Sequence, residues 1–191
     1  MNIIVRPYGS GMCYCRPDTT WERENKDFYV PEGVDIIEWA PILFVRICKA
    51  GKCIGKKFAS RYYDAFNYGA LLYCRKEGSD DIAFTSCADH SSLLPSPLYN
   101  MVVLESPDNM FETSRNGEKA FSYPDSFSVE GLKELIEETV CRASEMTSVR
   151  IGDYVAIELA EKEVLASREE GDVSFKARYC ENDLYDLNII F

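Results

Sequence analysis

Apolar and polar positions alternate along this chain in short runs punctuated by Gly, Pro and Asp, with one longer segment of helical spacing. That pattern predicts a mainly β fold with a few helices. Met1 to Val5 predicts an opening strand stopped by Pro7 and Gly9, and Met12 to Cys15 a second short one. Residues 16–31 (RPDTTWERENKDFYVP) are polar and bounded by prolines, so they predict a loop that rejoins the sheet at Phe28 to Val30. From Ile36 to Lys76 the text predicts a strand through Leu43 to Cys48, a turn at Lys49 to Lys52, a short helix over Lys56 to Phe66 and a second apolar segment. Gly78 to Pro97, rich in Gly, Ser, Asp and Pro, predicts irregular structure over the sheet. Met101 to Glu105 predicts a strand that pairs with Lys119 to Tyr123 across an Asn116-Gly117 turn. Val129, Leu132, Leu135, Ile136, Val140 and Ala143 share one helical face opposite Glu130, Lys133, Glu134, Glu137 and Glu138, with Ser128 as the cap. Gly152-Asp153 then opens a strand through Leu159, a charged stretch follows, Gly171-Asp172 opens a strand through Tyr179, and Leu187 to Phe191 is the last strand.

The 191 residues, 46% of them apolar, fit a single domain over 1-191 that buries its own core without disulfide or metal staples. A formal charge of -11 repels polyphosphate and anionic lipid, which argues against nucleic acid and membrane surfaces as partners. No apolar run reaches the roughly 18 residues that span a bilayer, and Met1 to Pro7 lacks a signal-peptide core, so the expected location is cytoplasmic. The eight cysteines fall in apolar strand or helix text and read as buried free thiols. Cys13 and Cys15 form a C-x-C, but no second pair with zinc spacing follows.

The segment IEWAPILFVRICKAGKCIGKKFASRYYDAFNYGALLYCRK resembles the core of the fumarylacetoacetate hydrolase superfamily. Two further stretches carry the likeness. Behind the amphipathic helix, Ser144, Gly152, Asp153, Gly171 and Asp172 stand where that superfamily has a helix-ending Ser and two strand-opening Gly-Asp pairs. Near the front, Arg16, Pro17, Thr19 and Thr20 match a Lys-Pro followed by small hydroxyl residues. The resemblance implies an α+β, fumarylacetoacetate-hydrolase-like rolled mixed β-sandwich, a homodimer, and a pocket at one end of the roll.

It also implies Mg²⁺ or Mn²⁺ held by three carboxylates, which polarises a keto acid for carbon–carbon cleavage or decarboxylation. Counting back from Lys49, the first two ligand positions are Ala40 and Ile42, and the third, two residues after Gly69, is Leu71. All three are apolar. The superfamily's His-x-x-Glu lid is missing, its Gly-Thr-Pro loop falls on Glu158, Leu159 and Ala160, and its middle loop is TSCADHSSLLP, without lysine. His90 is the only histidine; Asp89 beside it and Cys87 before it form a surface or loop-packing group rather than a catalytic set. The candidate former-pocket positions are therefore Arg16, Glu38, Ala40, Ile42, Leu71, His90 and Glu158, with no metal or other cofactor expected. The reading is a catalytically silent relative with a binding or structural role, its old pocket filled or turned into a small apolar cavity for a small-molecule ligand. One alternative is a divalent-metal hydrolase or decarboxylase of acylpyruvates or oxaloacetate that uses Glu38, Asp64 or Glu158. Another is a non-catalytic subunit that pairs with an active paralogue.

Overall fold

A computed structural model describes residues 1–76, 78, 81–106, 109–123 and 129–191. Its longest elements come from the segment that carries the resemblance. β5 (Ile36–Ile47) and β6 (Tyr63–Arg75) run antiparallel over nearly their whole length. On β5 the residues Ile37, Trp39, Leu43 and Val45 face one core, while Ala40, Ile42 and Phe44 face another. A strand buried on both sides explains why this text is apolar almost throughout.

The larger sheet builds outward from that pair in the order β2 (Tyr14–Arg16), β1 (Ile3–Arg6), β11 (Tyr154–Glu158), β5, β6, β7 (Ser92–Leu93), β3 (Trp21–Glu22). β12 (Glu163–Ser167) also pairs with β5, and β8 (Tyr99–Asn100) with β6. β1 lies parallel to β11, and β3 parallel to β7. The second sheet has the order β10 (Glu118–Tyr123), β9 (Phe111–Arg115), β13 (Val173–Tyr179), β14 (Asn182–Ile190), β4 (Phe28–Tyr29). The main core joins the two sheets through aromatic contacts such as Tyr68 stacked on Phe111 at 4.9 Å and Trp39 edge-on to Phe175 at 4.9 Å.

Pro41 sits inside β5 at a place that tolerates it. Residues 42–46 of β5 pair with β11, residues 36–39 with β12, and the missing N–H of Pro41 falls at the break between them. Its carbonyl still accepts from the Leu159 N–H at 2.8 Å. A short helix α1 (Ile82–Thr85) lies in the loop before β7. The one long helix, α2 (Val129–Met146), buries Leu132, Ile136, Val140 and Ala143 against the core. The predicted cap at Ser128 lies outside the described residues.

The two Gly-Asp pairs act as fasteners. Gly152, at φ +87, turns the chain so that the Asp153 carboxylate accepts from the backbone N–H groups of Asn2 at 2.7 Å and Arg150 at 2.8 Å. Asp172 likewise accepts from the Phe191 N–H at 3.2 Å.

Several predicted elements differ. The helix expected over Lys56 to Phe66 is a 3-10 turn ending at Arg61, because Tyr63 onward is β-favouring and already paired with β5. Met101–Glu105 is a 3-10 turn instead of a strand, started by Asn100, whose side chain accepts from the Val102 N–H. The partner of β10 across the Asn116-Gly117 turn is consequently β9. Asn116 at φ 50 and Gly117 at φ 82 fit that two-residue turn. The charged stretch after β11 holds β12, which buries Leu165 and Ala166 and leaves Glu163 and Val164 exposed. All eight cysteines are free thiols, but only Cys74 is fully buried, and Cys15, Cys53 and Cys87 are exposed. Among the described residues no helix is long and apolar enough to cross a membrane.

Candidate functional site

The positions where the resemblance implies metal ligands meet on one face of the larger sheet. Ala40 and Leu71 are direct cross-strand partners, and Ile42 lies opposite Gly69. Directly opposed residues of an antiparallel pair share a face, so their side chains touch. Each of the three is 0% exposed. They form a hydrocarbon cluster with Ile3, Val5, Phe44, Tyr73, Leu94, Tyr154 and Ala156, covered by Tyr14, Trp21 and Leu98. Trp21 stands edge-on to Tyr154 at 5.4 Å, and its indole N–H donates to the Leu94 carbonyl at 3.0 Å. Gly69 lets β7 approach this closely, since a Cβ there would lie 2.1 Å from the Leu93 carbonyl oxygen.

A polar network rims the apolar face. Glu158 is paired in register with Ile42 and is buried. Its carboxylate accepts from the Tyr73 hydroxyl and, at 3.0 Å, from the Tyr8 backbone N–H. The Tyr73 and Tyr14 hydroxyls share a hydrogen bond of 2.7 Å. Burial pushes the Tyr14 phenol up to about 12 and raises that of Tyr73, with the neighbouring Tyr14 and Glu158 adding to the second shift. Both tyrosines are therefore neutral at ordinary pH and serve as hydrogen-bond donors. The Lys162 ammonium lies 4.5 Å and the Arg16 guanidinium 5.1 Å from the Tyr73 ring centroid.

Arg16 is 2% exposed and anchored to three segments. It donates to the carbonyls of Ser86 at 2.7 Å, Leu72 at 2.6 Å and Ser91 at 3.4 Å, and to the Ser91 hydroxyl at 3.0 Å. The planar five-donor fork satisfies backbone that would otherwise be buried unpaired.

The other expected positions lie apart from this network. Glu38 shares the face of Ala40 but is drawn to Arg75 at 2.8 Å. Asp64 is exposed and bidentate with Arg46 at 3.0 and 2.8 Å. His90 is exposed and meets Glu22 at 2.9 Å, while the Cys87 thiol donates to the Phe84 carbonyl. Tyr14 and Tyr73 escaped sequence reasoning. Each stands two residues from a recognised position, Arg16 and Leu71, and the alternation of a strand carries it to the same face.

A hard divalent cation needs several oxygen ligands. Here the face offers alkyl groups, the Glu158 carboxylate, which already accepts two hydrogen bonds, and the Glu38 carboxylate, which is paired with Arg75. Among the described residues no group of three His, Cys, Asp or Glu side chains could hold a metal ion. The donor set does not fit Mg²⁺ or Mn²⁺.

No protein-family model matches the chain. No curated protein matches it either. Solved structures do. A protein from Yersinia pestis CO92 assigned to the fumarylacetoacetate hydrolase family superposes with a TM-score of 0.71 at 13% identity, over 99% of this chain and 92% of that one. Fumarylpyruvate hydrolase from Pseudomonas aeruginosa, in complex with Mn²⁺ and pyruvate, gives 0.72 at 15% identity, over 99% and 87%. 5-Carboxymethyl-2-hydroxymuconate delta-isomerase from Mycobacterium smegmatis gives 0.73 at 13% identity, over 99% and 78%. At these identities the likeness is one of fold, and the chain has the fumarylacetoacetate-hydrolase-like fold.

Proposed function

We propose that this chain is a fumarylacetoacetate-hydrolase-like protein without the metal-dependent keto-acid chemistry, acting as a binding or structural protein. The observation that carries the reading is the contact of Ala40, Ile42 and Leu71, each 0% exposed, on opposed strands. Three carboxylates buried there without a metal would repel one another and lose their hydration, so apolar residues at all three positions stabilise the roll once a metal is no longer held. Glu158, Tyr73 and Tyr14 then hold β11, β6 and β2 together at the edge of the filled site.

The rival reading, a metal-dependent hydrolase or decarboxylase, draws support from a Mn²⁺-bound hydrolase among the structures of the same fold. Titration calorimetry with MgCl₂ and MnCl₂ separates the two, paired with turnover assays on an acylpyruvate and on oxaloacetate. The proposal expects no saturable metal binding and no turnover that a chelator abolishes. Micromolar metal affinity together with chelator-sensitive turnover overturns it. By analogy with the fold family the chain forms a homodimer or pairs with an active paralogue, and co-purification from the source cell distinguishes these.

A further inference from the structure

Glu158 also borders a cavity of about 450 Å³ that Ala40, Ile42 and Leu71 do not line. It opens between the turn that follows β1, the end of β11 and one face of α2. Pro7, Leu135, Ile157 and Leu159 give it apolar walls, and Gly131 leaves room along the helix. The charged groups around it are already matched to one another. Glu134 is paired with Lys56 at 2.7 Å, Glu138 lies 3.5 Å from Arg6, and the Glu158 carboxylate accepts from the Tyr73 hydroxyl and the Tyr8 N–H. One donor is left over. The Arg6 side chain is 15% exposed, its Nε donates to the Ser10 carbonyl at 2.8 Å and its Nη1 to the Thr139 hydroxyl at 3.2 Å. Its Nη2 has no partner among the described residues and is not sealed from the surface. A planar guanidinium clamped at two nitrogens presents the third in a fixed direction.

We propose that this cavity binds a small uncharged carbonyl compound, an amide or a ketone, whose oxygen accepts from Arg6 Nη2 and whose apolar body packs against Pro7, Leu135, Ile157 and Leu159. Apolar walls with a few placed polar groups, in a volume of roughly 300–1,000 Å³, are what small-molecule sites generally offer. A cavity of ~150 Å³ holds one benzene ring, so a ring with its substituent fits here with room to spare. Charge decides the class. An anion would meet Glu134, Glu138 and Glu158 around one guanidinium that Glu138 already partly neutralises. A cation would find each of those carboxylates engaged and would face Arg6. Either ion would give up its hydration without a free counter-charge, whereas a carbonyl oxygen loses less water and gains a charge-assisted hydrogen bond. The inference rests on the proposed binding role and gives it a ligand class.

The test uses the whole chain with EDTA present and ionic strength held constant. Benzamide, benzoate and benzamidine are the probes, because they share a ring and a forked head group and differ in charge. Each is followed by NMR titration and thermal shift. Benzamide binds saturably with a Kd of about 1 mM, in keeping with so few atoms, and the two charged probes bind at least about tenfold more weakly. Gly131→Leu fills the cavity from a position on α2 where leucine is the better helix former, so it folds and weakens benzamide binding at least about tenfold. Arg6→Met removes the donor and weakens it roughly tenfold. The proposal is overturned if benzamide shows no saturation up to about 20 mM. It is equally overturned if benzoate or benzamidine binds as tightly, or if Gly131→Leu or a folded Arg6→Met leaves the affinity unchanged. Should Arg6→Met fail to fold, Gly131→Leu and the comparison of the probes still decide. With EDTA present, failure here leaves the metal titration of the proposed function as it stands, and metal binding there leaves this result as it stands.

Discussion

Placing one carboxylate back on the apolar face, as Leu71→Asp, tests whether that face is dry and packed. Leu71 is 0% exposed, so its loss removes about 2–3 kcal/mol of burial before any cavity effect. The buried cluster that holds position 71 is made of apolar and aromatic side chains, so burial raises the pKa of the new Asp by roughly 3 to 5 units. A raised carboxyl pKa costs nothing below the unfolded value of about 3.9 and progressively more above it, at about 1.36 kcal/mol per pH unit until the folded pKa is reached. The electrostatic cost is about 2 kcal/mol at about pH 5.5 and about 5 kcal/mol at about pH 7.5. With the lost burial, the variant is destabilised by about 4 kcal/mol at the lower pH and about 7 kcal/mol at the higher, against a usual stability of about 5–15 kcal/mol. Urea unfolding followed by tryptophan fluorescence reads both cores, because Trp21 covers the apolar face and Trp39 lies in the main core. Working above the sequence pI of about 4.6 avoids precipitation. A loss under about 1 kcal/mol that does not grow with pH would refute the reasoning, since it would mean that water reaches position 71.

Tyr73→Phe leaves the Tyr14 hydroxyl and the Glu158 carboxylate each one partner short and costs about 1–3 kcal/mol in urea unfolding. A double-mutant cycle with Glu158→Gln gives a coupling above about 0.5 kcal/mol, and simple additivity would contradict the network. Arg16→Met orphans carbonyls on three segments and lowers stability by about 3 kcal/mol or more. Arg16→Lys recovers little of this, because one ammonium cannot span the Ser86, Leu72 and Ser91 oxygens. Ultraviolet titration finds Tyr14 ionising near 12, and the Tyr14→Phe difference spectrum lacks that step. Its folded pKa lies above the ordinary phenol value of about 10, so its contribution is whole below about pH 10 and fades as pH rises toward about 12.

The backbone of the fold was legible where local physics and burial agree. The amphipathic spacing of α2, the Asn116-Gly117 turn and the Gly-Asp openings of β11 and β13 are set by residues within a few positions of one another. Met101–Glu105 misled because its β-branched text meets a local competitor, the Asn100 side chain, which turns the chain before a strand can pair. The short strands β3 and β7 were invisible, since two-residue strands have no period to detect and exist through pairing partners far along the chain. At the site, Ala40, Ile42 and Leu71 were located by counting along the family resemblance, and the pairing of β5 with β6 brings them to one face. Tyr14, Tyr73 and Glu158 come from strands far apart in sequence, and nothing near any of them announces that their oxygens meet.

The parallel pairing of β1 with β11 also sets the order in which the molecule can be assembled. β5 and β6 are neighbours along the chain and can zip together early, whereas Ile3 finds Tyr154 only after almost the whole intervening chain exists. Until then one flank of the apolar face, which Ile3, Val5, Tyr154 and Ala156 complete, stays open beside Ala40 and Ile42. A ribosome-bound or truncated chain that stops short of β11 therefore carries an unsealed hydrophobic strip, a target for chaperones and a seed for aggregation. In an enzyme the corresponding carboxylates would keep such a strip wet. Filling the site with hydrocarbon makes the finished protein drier and the unfinished one stickier.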